Sequence, residues 1–519
     1  MKEVKGNHFN WLPAKRSLGP AHFVLLAGLL NFVLFHYPFY AFVFANADYK
    51  SWSGIGLILS LIILMPVAYA LAFYIIFFIS RRVGKALMAF FFVASSLAFY
   101  FVATYGVIID ESMIGNVLNT NTEESGSFFS AKLVLFVVFL GIIPAVFVLR
   151  TKVINTSLKK FLATTFAALA FIVALVFLNA GNWLWIDKNS KRLGGLAMPW
   201  SYTVNTSLFY VHKYKKNQKE ILLPDAAITD HKKSVMVLVI GESARRQNFS
   251  LYGYPKNTNP LLSKTPGISH FDATSCATYT TAGVKCILEH TATDELYEIL
   301  PNYLYRNNVE VIWRTTNWGE PPVHIKQYQD REALRSICTG DGCSYDEVLL
   351  AGLKEQIMAS KKDKILVVLH TSTSHGPTYS KKYPPQFESF KPVCNSVELA
   401  NCTNDALMNA YDNTIVYTDY ILHKVIENLQ ELKEYDSAMI FVSDHGESLG
   451  EKNLYMHGMP MSIAPKEQYE IPFIVWVPEG SGQLKPLKTV SQNHVFHSVL
   501  HFLSVKSPVY NEEMNIFKK

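Results

Sequence analysis

The segment Ser443-Asp444-His445-Gly446-Glu447-Ser448 sets a carboxylate beside an imidazole directly after an apolar run, Ala438-Met439-Ile440-Phe441-Val442. Such a run reads as a buried strand, so Asp444 and His445 fall at its C-terminal edge, where α/β sheets hold their ligands. A second edge of this kind comes earlier, where Val235-Met236-Val237-Leu238-Val239-Ile240 runs into Gly241-Glu242-Ser243-Ala244-Arg245. Carboxylates joined by one imidazole suit zinc or manganese, which take oxygen and nitrogen donors. Either pair alone is also what an ordinary helix cap looks like.

The hydroxyl-rich stretch Ser275-Cys276-Ala277-Thr278-Tyr279-Thr280-Thr281-Ala282 supplies a fourth candidate ligand. A threonine hydroxyl is a poor nucleophile until a metal ion stabilises its alkoxide. A helix beginning here would also present free amide groups to a phosphate. The residue types leave Thr278, Thr280 and Thr281 open, beside the plainer reading of a helix cap. His375 and His457 sit in loops next to Gly and Pro, where a histidine is by default solvated. Following two strand ends with ligands, they become candidates for a second metal or for the phosphate itself.

The first 180 residues differ in kind. Apolar stretches at 20–38, 54–80, 84–107, 131–149 and 161–179 are each long enough for the roughly 20 residues that cross a bilayer. Lys2, Lys5, Lys15 and Arg16 precede the first, Arg81, Arg82 and Lys85 follow the second, and Arg150, Lys152, Lys159 and Lys160 follow the fourth. The loops 39–53 and 109–130 lack that bias, so the positive-inside rule predicts a cytoplasmic N-terminus. Five spans then deliver the C-terminal half across the membrane. Four further spans and the lack of a small-residue cleavage site argue against a cleaved signal peptide. Residues 181–232, with Trp183, Trp185, Trp200, Tyr202 and Lys213, Lys215 and Lys216, read as an interfacial connector, or as residues packed under the next domain. The net charge of +6 is spread over loops and surface lysines and predicts no nucleic-acid partner.

From 233 to 519 strands at 235–240, 309–313, 365–369, 438–442 and 472–477 alternate with helical stretches such as 346–359 and 404–431. That pattern predicts one doubly wound, mostly parallel α/β domain. All six cysteines lie in this exported half, as Cys276/Cys286, Cys338/Cys343 and Cys394/Cys402. In an oxidising compartment, short local loops favour neighbour pairing into three disulfides. The spacings do not fit the paired Cys-x-x-Cys knuckles of a zinc ribbon.

Taken together these residues resemble the phosphoethanolamine transferases of Gram-negative inner membranes, which include the lipid A phosphoethanolamine transferases and the mobile colistin-resistance enzymes. The likeness runs through the five spans, Gly241-Glu242-Ser243-Ala244-Arg245, Tyr252-Gly253-Tyr254, the Cys276 to Cys286 loop, Cys343-Ser344-Tyr345-Asp346, Ser374-His375-Gly376-Pro377, Tyr411-Asp412-Asn413 and Asp444 to Glu451. It implies an alkaline-phosphatase/sulfatase type of sheet, a periplasmic catalytic domain, and one tight zinc ion with a second during turnover. By the same resemblance Thr280 is the nucleophile and Glu242, Thr280, Asp444 and His445 are the zinc ligands. His375, His457 and Asn317 would contact the phosphate or a second zinc, and Asn116, Thr120 and Glu124 would hold the ethanolamine head group. The implied reaction moves phosphoethanolamine from phosphatidylethanolamine to lipid A or another lipopolysaccharide or periplasmic acceptor, which weakens the binding of polymyxin-like cationic peptides.

Departures from the family pattern are Ala277 for glycine, Gly283-Val284-Lys285 before Cys286, and Pro321 where a lysine is usual. They predict altered phosphate and acceptor contacts with intact metal ligands. Three other functions fit parts of the pattern. A glycerol-phosphate transferase of lipoteichoic acid synthase type shares the plan but not the cysteines. A sulfatase or phosphatase would need a Cys/Ser-x-Pro-x-Arg-type motif or a second carboxylate-rich metal site. A silent lipid-binding sensor would not need the ligand set.

Overall fold

The computed structural model describes residues 18–120, 125–126, 128–179, 182–216, 220–396, 399–480 and 484–518. Glu124 and the basic residues before position 18 lie outside them. The chain forms two compact units. One gathers the described residues up to Ala103, Ile108–Glu111 and Phe129–Ser207, and the other Thr104–Val107, Ser112–Phe128 and Leu208–Lys519.

In the first unit four helices are long and apolar enough to cross a membrane: Trp52–Ile79, Arg81–Tyr105, Ala131–Arg150 and Leu158–Leu178. The first expected span is not one straight helix. It breaks into Pro20–Phe35 and Tyr37–Asn46, bent by 68°. The cause is local: Pro38 has no amide hydrogen to donate and disfavours helical geometry in the residue before it, so a new helix starts there. Counted as one span, the bent pair makes five. Leu158–Leu178 buries only Leu175, and Phe166, Phe177 and Leu178 are exposed, as expected of a lipid-facing helix. Basic segments meet at one end of the bundle: Arg81 donates to Val153 O (3.0 Å), Lys85 to Leu149 O (3.2 Å), and Leu18 N to Lys152 O (3.0 Å). In the connector region, Tyr202 shares a hydrogen bond with Ser95 at 3.0 Å and so packs on the span Arg81–Tyr105.

The second unit is built on an eight-stranded sheet. Its strands are β1 (Ser234–Gly241), β2 (Ile268–Thr274), β3 (Glu310–Thr315), β4 (Gln327–Gln329), β5 (Lys364–His370), β6 (Asp436–Ser443), β7 (Glu470–Trp476) and β8 (Thr489–Ser491). They lie in the order β8-β2-β7-β6-β1-β5-β3-β4, with β7 antiparallel to both of its neighbours and the other pairings parallel. β1, β5 and β6 are fully apolar through their centres because both faces of this sheet are covered. β2 is not legible in the sequence: Ile268-Ser-His-Phe-Asp-Ala-Thr274 buries only Phe271 and Ala273, so its apolar signal is thin. The expected helix 346–359 is also cut. Gly352 adopts φ +60°, which separates a short 3-10 turn, Asp346–Leu350, from the helix Leu353–Met358. The long helix Asn404–Glu431 runs as predicted, capped by the Thr403 side chain accepting from Ala406 N.

The cysteines pair with their neighbours as expected. Cys276 is bonded to Cys286, Cys338 to Cys343, and Cys394 to Cys402. The first bridge ties the residues before Thr280 to the helix that follows it. The third closes the loop leading into Asn404–Glu431, where Cys394 N also donates to Ala406 O (2.9 Å) and Cys402 N to Leu399 O (3.1 Å). Cys402 thus staples the start of the long helix, a structural role outside the chemical site.

Candidate metal centre and phosphate site

Register puts the chemistry on one edge. Gly241 pairs with Ser443, and Ile240 and Thr315 both pair with His370. Glu242, Asp444-His445, the loop to His375 and Asn317 therefore all leave the sheet on the same side. β2 ends there too, since Thr274 lies opposite Glu470 at the start of β7. After a short loop, the helix Thr280–Leu288 begins with Thr280 as its first residue. Tyr279 at its N-cap offers no side-chain acceptor, so the first-turn amides keep their donors for an anion.

The edge turns sharply at Ser243, which sits at φ +53°, a conformation that costs a non-glycine residue about 1 kcal/mol or more. Two hydrogen bonds hold it: Ser243 N donates to Asp444 Oδ1 (3.0 Å), and Tyr411 OH donates to Ser243 O (2.6 Å). The turn aims Glu242 inward, where Ser243 Oγ donates to its Oε1 (2.7 Å) and Asn317 Nδ2 to its Oε2 (2.7 Å). Thr280 Oγ1 lies 3.4 Å from Glu242 Oε2 and 3.3 Å from His445 Nε2. His445 Nδ1 is 2.8 Å from Gly446 O and so carries the proton, leaving Nε2 with its lone pair free for the centre. That nitrogen is 3.5 Å from Glu242 Oε1 and 3.4 Å from Asp444 Oδ2.

Asp444 Oδ2 is buried and has no hydrogen-bond partner among the described residues. Burial, with the charge of Glu242 adding to it, pushes the Asp444 carboxyl well above the usual carboxylate range. Burial also pushes His445 down to about 3, which keeps it a neutral donor. An unpartnered carboxylate oxygen among converging donors is what a cation would satisfy. Glu242, Asp444 and His445 form one group able to hold a metal ion, and Glu242, His375 and His457 form a second.

His457 and His375 stand near this centre, with ring centroids 5.5 Å apart, and His457 is 4.2 Å from His445. Glu447 orients His457, its Oε2 lying 3.0 Å from Nδ1, while its Oε1 accepts from Tyr379 OH (3.0 Å). Neither Glu447 nor Tyr379 stands out in the sequence, although Glu447 lies inside the Asp-His-Gly-Glu motif. Thr278 is spent elsewhere, donating to Met459 O, whereas the Thr280 hydroxyl stands beside Glu242 and His445. Asn116 lies beside Gly458, where an added Cβ would sit 3.6 Å from Asn116 Nδ2. Thr120 donates its hydroxyl to Asn116 O at 2.8 Å.

Two family models match the chain: "Phosphoethanolamine transferase EptA/EptB" over residues 67–214 and "Sulfatase" over 234–505. Phosphoethanolamine transferase EptA of Helicobacter pylori is 40% identical over 508 residues, covering 95% of this chain and 96% of that protein. The chain belongs to the phosphoethanolamine transferase family. Phosphatidylethanolamine transferase Mcr-1 of Escherichia coli is 30% identical over 504 residues, covering 92% of this chain and 92% of that protein. The integral membrane lipooligosaccharide phosphoethanolamine transferase A of Neisseria meningitidis superposes with a TM-score of 0.87 at 25% identity, covering 97% of this chain and 99% of that one.

Against that family the departure at Lys285 has a structural explanation. It lies five residues beyond Thr280, roughly 140° around the helix. Its Nζ donates to Thr293 O (2.7 Å) and Glu295 O (3.0 Å) and pairs with Glu289 Oε1 (2.7 Å), clamping the following loop. At this departure the lysine thus holds the following loop. Gly283, by contrast, matters directly, because a Cβ there would lie within 2.3 Å of Asp444 O. In this chain the helix bearing Thr280 approaches Asp444 so closely that any side chain at 283 would force a shift. Gly283→Ala is expected to lower transfer by about a hundredfold by displacing Thr280 from Glu242 and His445, the scale of a misplacement of about 1 Å. Initial rates of purified protein, with circular dichroism as the control for folding, check this.

Proposed function

We propose that this chain moves phosphoethanolamine from phosphatidylethanolamine to lipid A through a phosphothreonine at Thr280, with zinc held by Glu242, Thr280, Asp444 and His445. The observation that carries the reading is the convergence of Thr280 Oγ1 on Glu242 and His445 beside the unpartnered Asp444 Oδ2. Four ligands at the usual zinc distances of about 2.0–2.1 Å stand roughly 3.3–3.4 Å apart in a tetrahedron. The four separations seen here, 3.3 to 3.5 Å, are of that size, with Glu242 turning Oε2 to Thr280 and Oε1 to His445. Zinc bound there lowers the pKa of the threonine hydroxyl and offsets phosphoryl charge.

Thr280 Oγ1 attacks phosphorus as the bond to the diacylglycerol oxygen breaks, and that oxygen leaves with a proton as diacylglycerol. The first-turn amides of Thr280–Leu288, with His375 and His457, hold the phosphoryl oxygens. An acceptor oxygen then attacks the same phosphorus, and Thr280 regains its hydroxyl. Asn116 and Thr120 hold the ethanolamine head group beside His457, and Asn317 positions Glu242 through its 2.7 Å hydrogen bond. The relative Mcr-1, a phosphatidylethanolamine transferase, supports the donor, and the Neisseria lipooligosaccharide transferase supports an acceptor of the lipopolysaccharide class. The site would face the periplasm from a Gram-negative inner membrane, with the N-terminus cytoplasmic.

Mass spectrometry of lipid A from a polymyxin-sensitive Gram-negative host expressing the chain tests this reading. One added phosphoethanolamine, with raised polymyxin tolerance, is the expected result. Unmodified lipid A, with the protein present in the membrane, would overturn it.

A further inference from the structure

The basic end of the membrane-spanning unit carries a cavity of about 350 Å³. Ser80, Arg81, Arg82 and Thr156 line it together with the apolar Ile79 and Ile154. The segments that meet there, 77–88 and 147–163, contain seven lysines and arginines and no aspartate or glutamate. Their hydrogen bonds do not cancel that charge. Arg81 donates to Val153 O (3.0 Å) and Lys85 to Leu149 O (3.2 Å), so neutral carbonyls take the hydrogens and the positive charges remain.

The turn that carries the arginines is fixed by its surroundings. Ile79 ends one span and Arg81 begins the next, with Ser80 alone between them. Val83 N donates to Ser80 Oγ (3.4 Å), and a Cβ on Gly84 would collide with the buried Phe77 ring, so the two helices close tightly behind the turn. The start of Arg81–Tyr105 therefore brings first-turn amides and two guanidinium groups to the cavity, a combination that favours a phosphate. Thr156 adds a hydroxyl that is buried and without a partner among the described residues, able to donate to a phosphate oxygen. The apolar lining decides what carries that phosphate. Ile79 is 79% exposed and Ile154 50% exposed, although both stand beside the cations. A soluble anion would leave them in water, whereas a lipid covers them with its acyl chains while its phosphate meets the arginines.

We infer that this cavity binds the headgroup of an anionic phospholipid from the adjoining leaflet, which is cytoplasmic in the orientation proposed above. Arg81, Arg82 and Thr156 hold its phosphate, and its acyl chains run along Ile79 and Ile154. A zwitterionic headgroup fits less well, because its ammonium meets the same uncompensated cations. Leu18 N donates to Lys152 O (3.0 Å) at this end, so the lipid would tie together the start of the first span, the turn at Ser80 and the segment 150–156. The proposed reaction takes place on the periplasmic side, so this lipid is neither its donor nor its acceptor.

The test uses the full-length protein in detergent and native mass spectrometry with phosphatidylglycerol and phosphatidylcholine of matched chains. Wild type should retain one phosphatidylglycerol, with about tenfold higher affinity than phosphatidylcholine and a preference that falls as salt is raised. Arg82→Glu should weaken phosphatidylglycerol binding by about tenfold or more, and Lys50→Glu, in the loop at the other end of Trp52–Ile79, by less than about twofold. A carboxylate in the first turn favours the helix itself, so Arg82→Glu should keep the thermal unfolding temperature of the lipid-free protein. Phosphatidylethanolamine, the donor of the proposed reaction, should bind this variant as it binds wild type. Equal affinity for phosphatidylglycerol and phosphatidylcholine, or equal losses in the two variants, would overturn the inference. Glycerol 1-phosphate has the phosphate without the chains and should not displace the lipid at equal concentration; displacement would overturn the assignment to a lipid. Phosphatidylglycerol retained through Arg82 by a protein that leaves lipid A unmodified would support this site and refute the proposed function. Transfer to lipid A without any such preference would do the reverse.

Discussion

Thr280→Ala is expected to abolish transfer, by about 10³-fold or more, because on the proposed route it removes the atom that would carry the group between donor and acceptor. The hydroxyl sits 3.4 Å from Glu242 and 3.3 Å from His445, and the side chain is buried. Thr280→Ser keeps the oxygen and should retain part of the activity. The check is direct: wild type incubated with labelled phosphatidylethanolamine should yield acid-stable label on the peptide that contains Thr280, and the alanine variant none. Thr281 is the control. It is next in the chain and half-buried, but the hydrogen bonds to Glu242 and His445 come from Thr280, so Thr281→Ala should retain the label. Label surviving in Thr280→Ala would refute the phosphothreonine route.

Much of this site is legible in the residues themselves, and the reasons are specific. β1, β5 and β6 are continuous apolar runs, and a strand so marked fixes what stands at its C-terminal end, which here is Glu242, His375 and Asp444-His445. The three disulfides, down to Cys394 with Cys402, are legible for a different reason: each closes a loop too short to leave a rival partner nearer. Choosing Thr280 over Thr278 on the residues alone needs tertiary information, since only the folded chain spends Thr278 on Met459 O. β2, which feeds the nucleophile helix, is hidden because its exposed face is polar and its buried face has two apolar residues. The bend at His36 is encoded by Pro38, but uniform hydropathy across residues 20–38 masks it. The Glu447 contact to His457 depends on a ten-residue excursion returning to the same edge, which no local pattern encodes.

Asp444→Asn should move activity and stability in opposite directions. Asp444 Oδ1 accepts from Ser243 N (3.0 Å) and His445 N (2.7 Å), and an amide oxygen can keep both bonds. The change falls on Oδ2, which is buried, unpartnered among the described residues and close to a second carboxylate. Without metal, the carboxyl there must hold a proton beside Glu242, a state that becomes costlier as pH rises, whereas an amide can donate to Glu242 at any pH. The metal-free variant should therefore unfold at a higher temperature than metal-free wild type. With metal the order reverses. An ion bound only to the folded state adds about 4 kcal/mol at a thousand times its dissociation constant, and the variant, with a donor where an anion is required, should gain little of it. Zinc titration followed by thermal unfolding in detergent, with metal analysis and transfer rates on the same samples, measures all three quantities. Chelation of wild type should lower its unfolding temperature and its transfer rate together, and zinc should restore both. A variant that binds zinc as wild type does, or chelated wild type that still transfers, would show that Asp444 is not a ligand and that the unpartnered oxygen has another purpose.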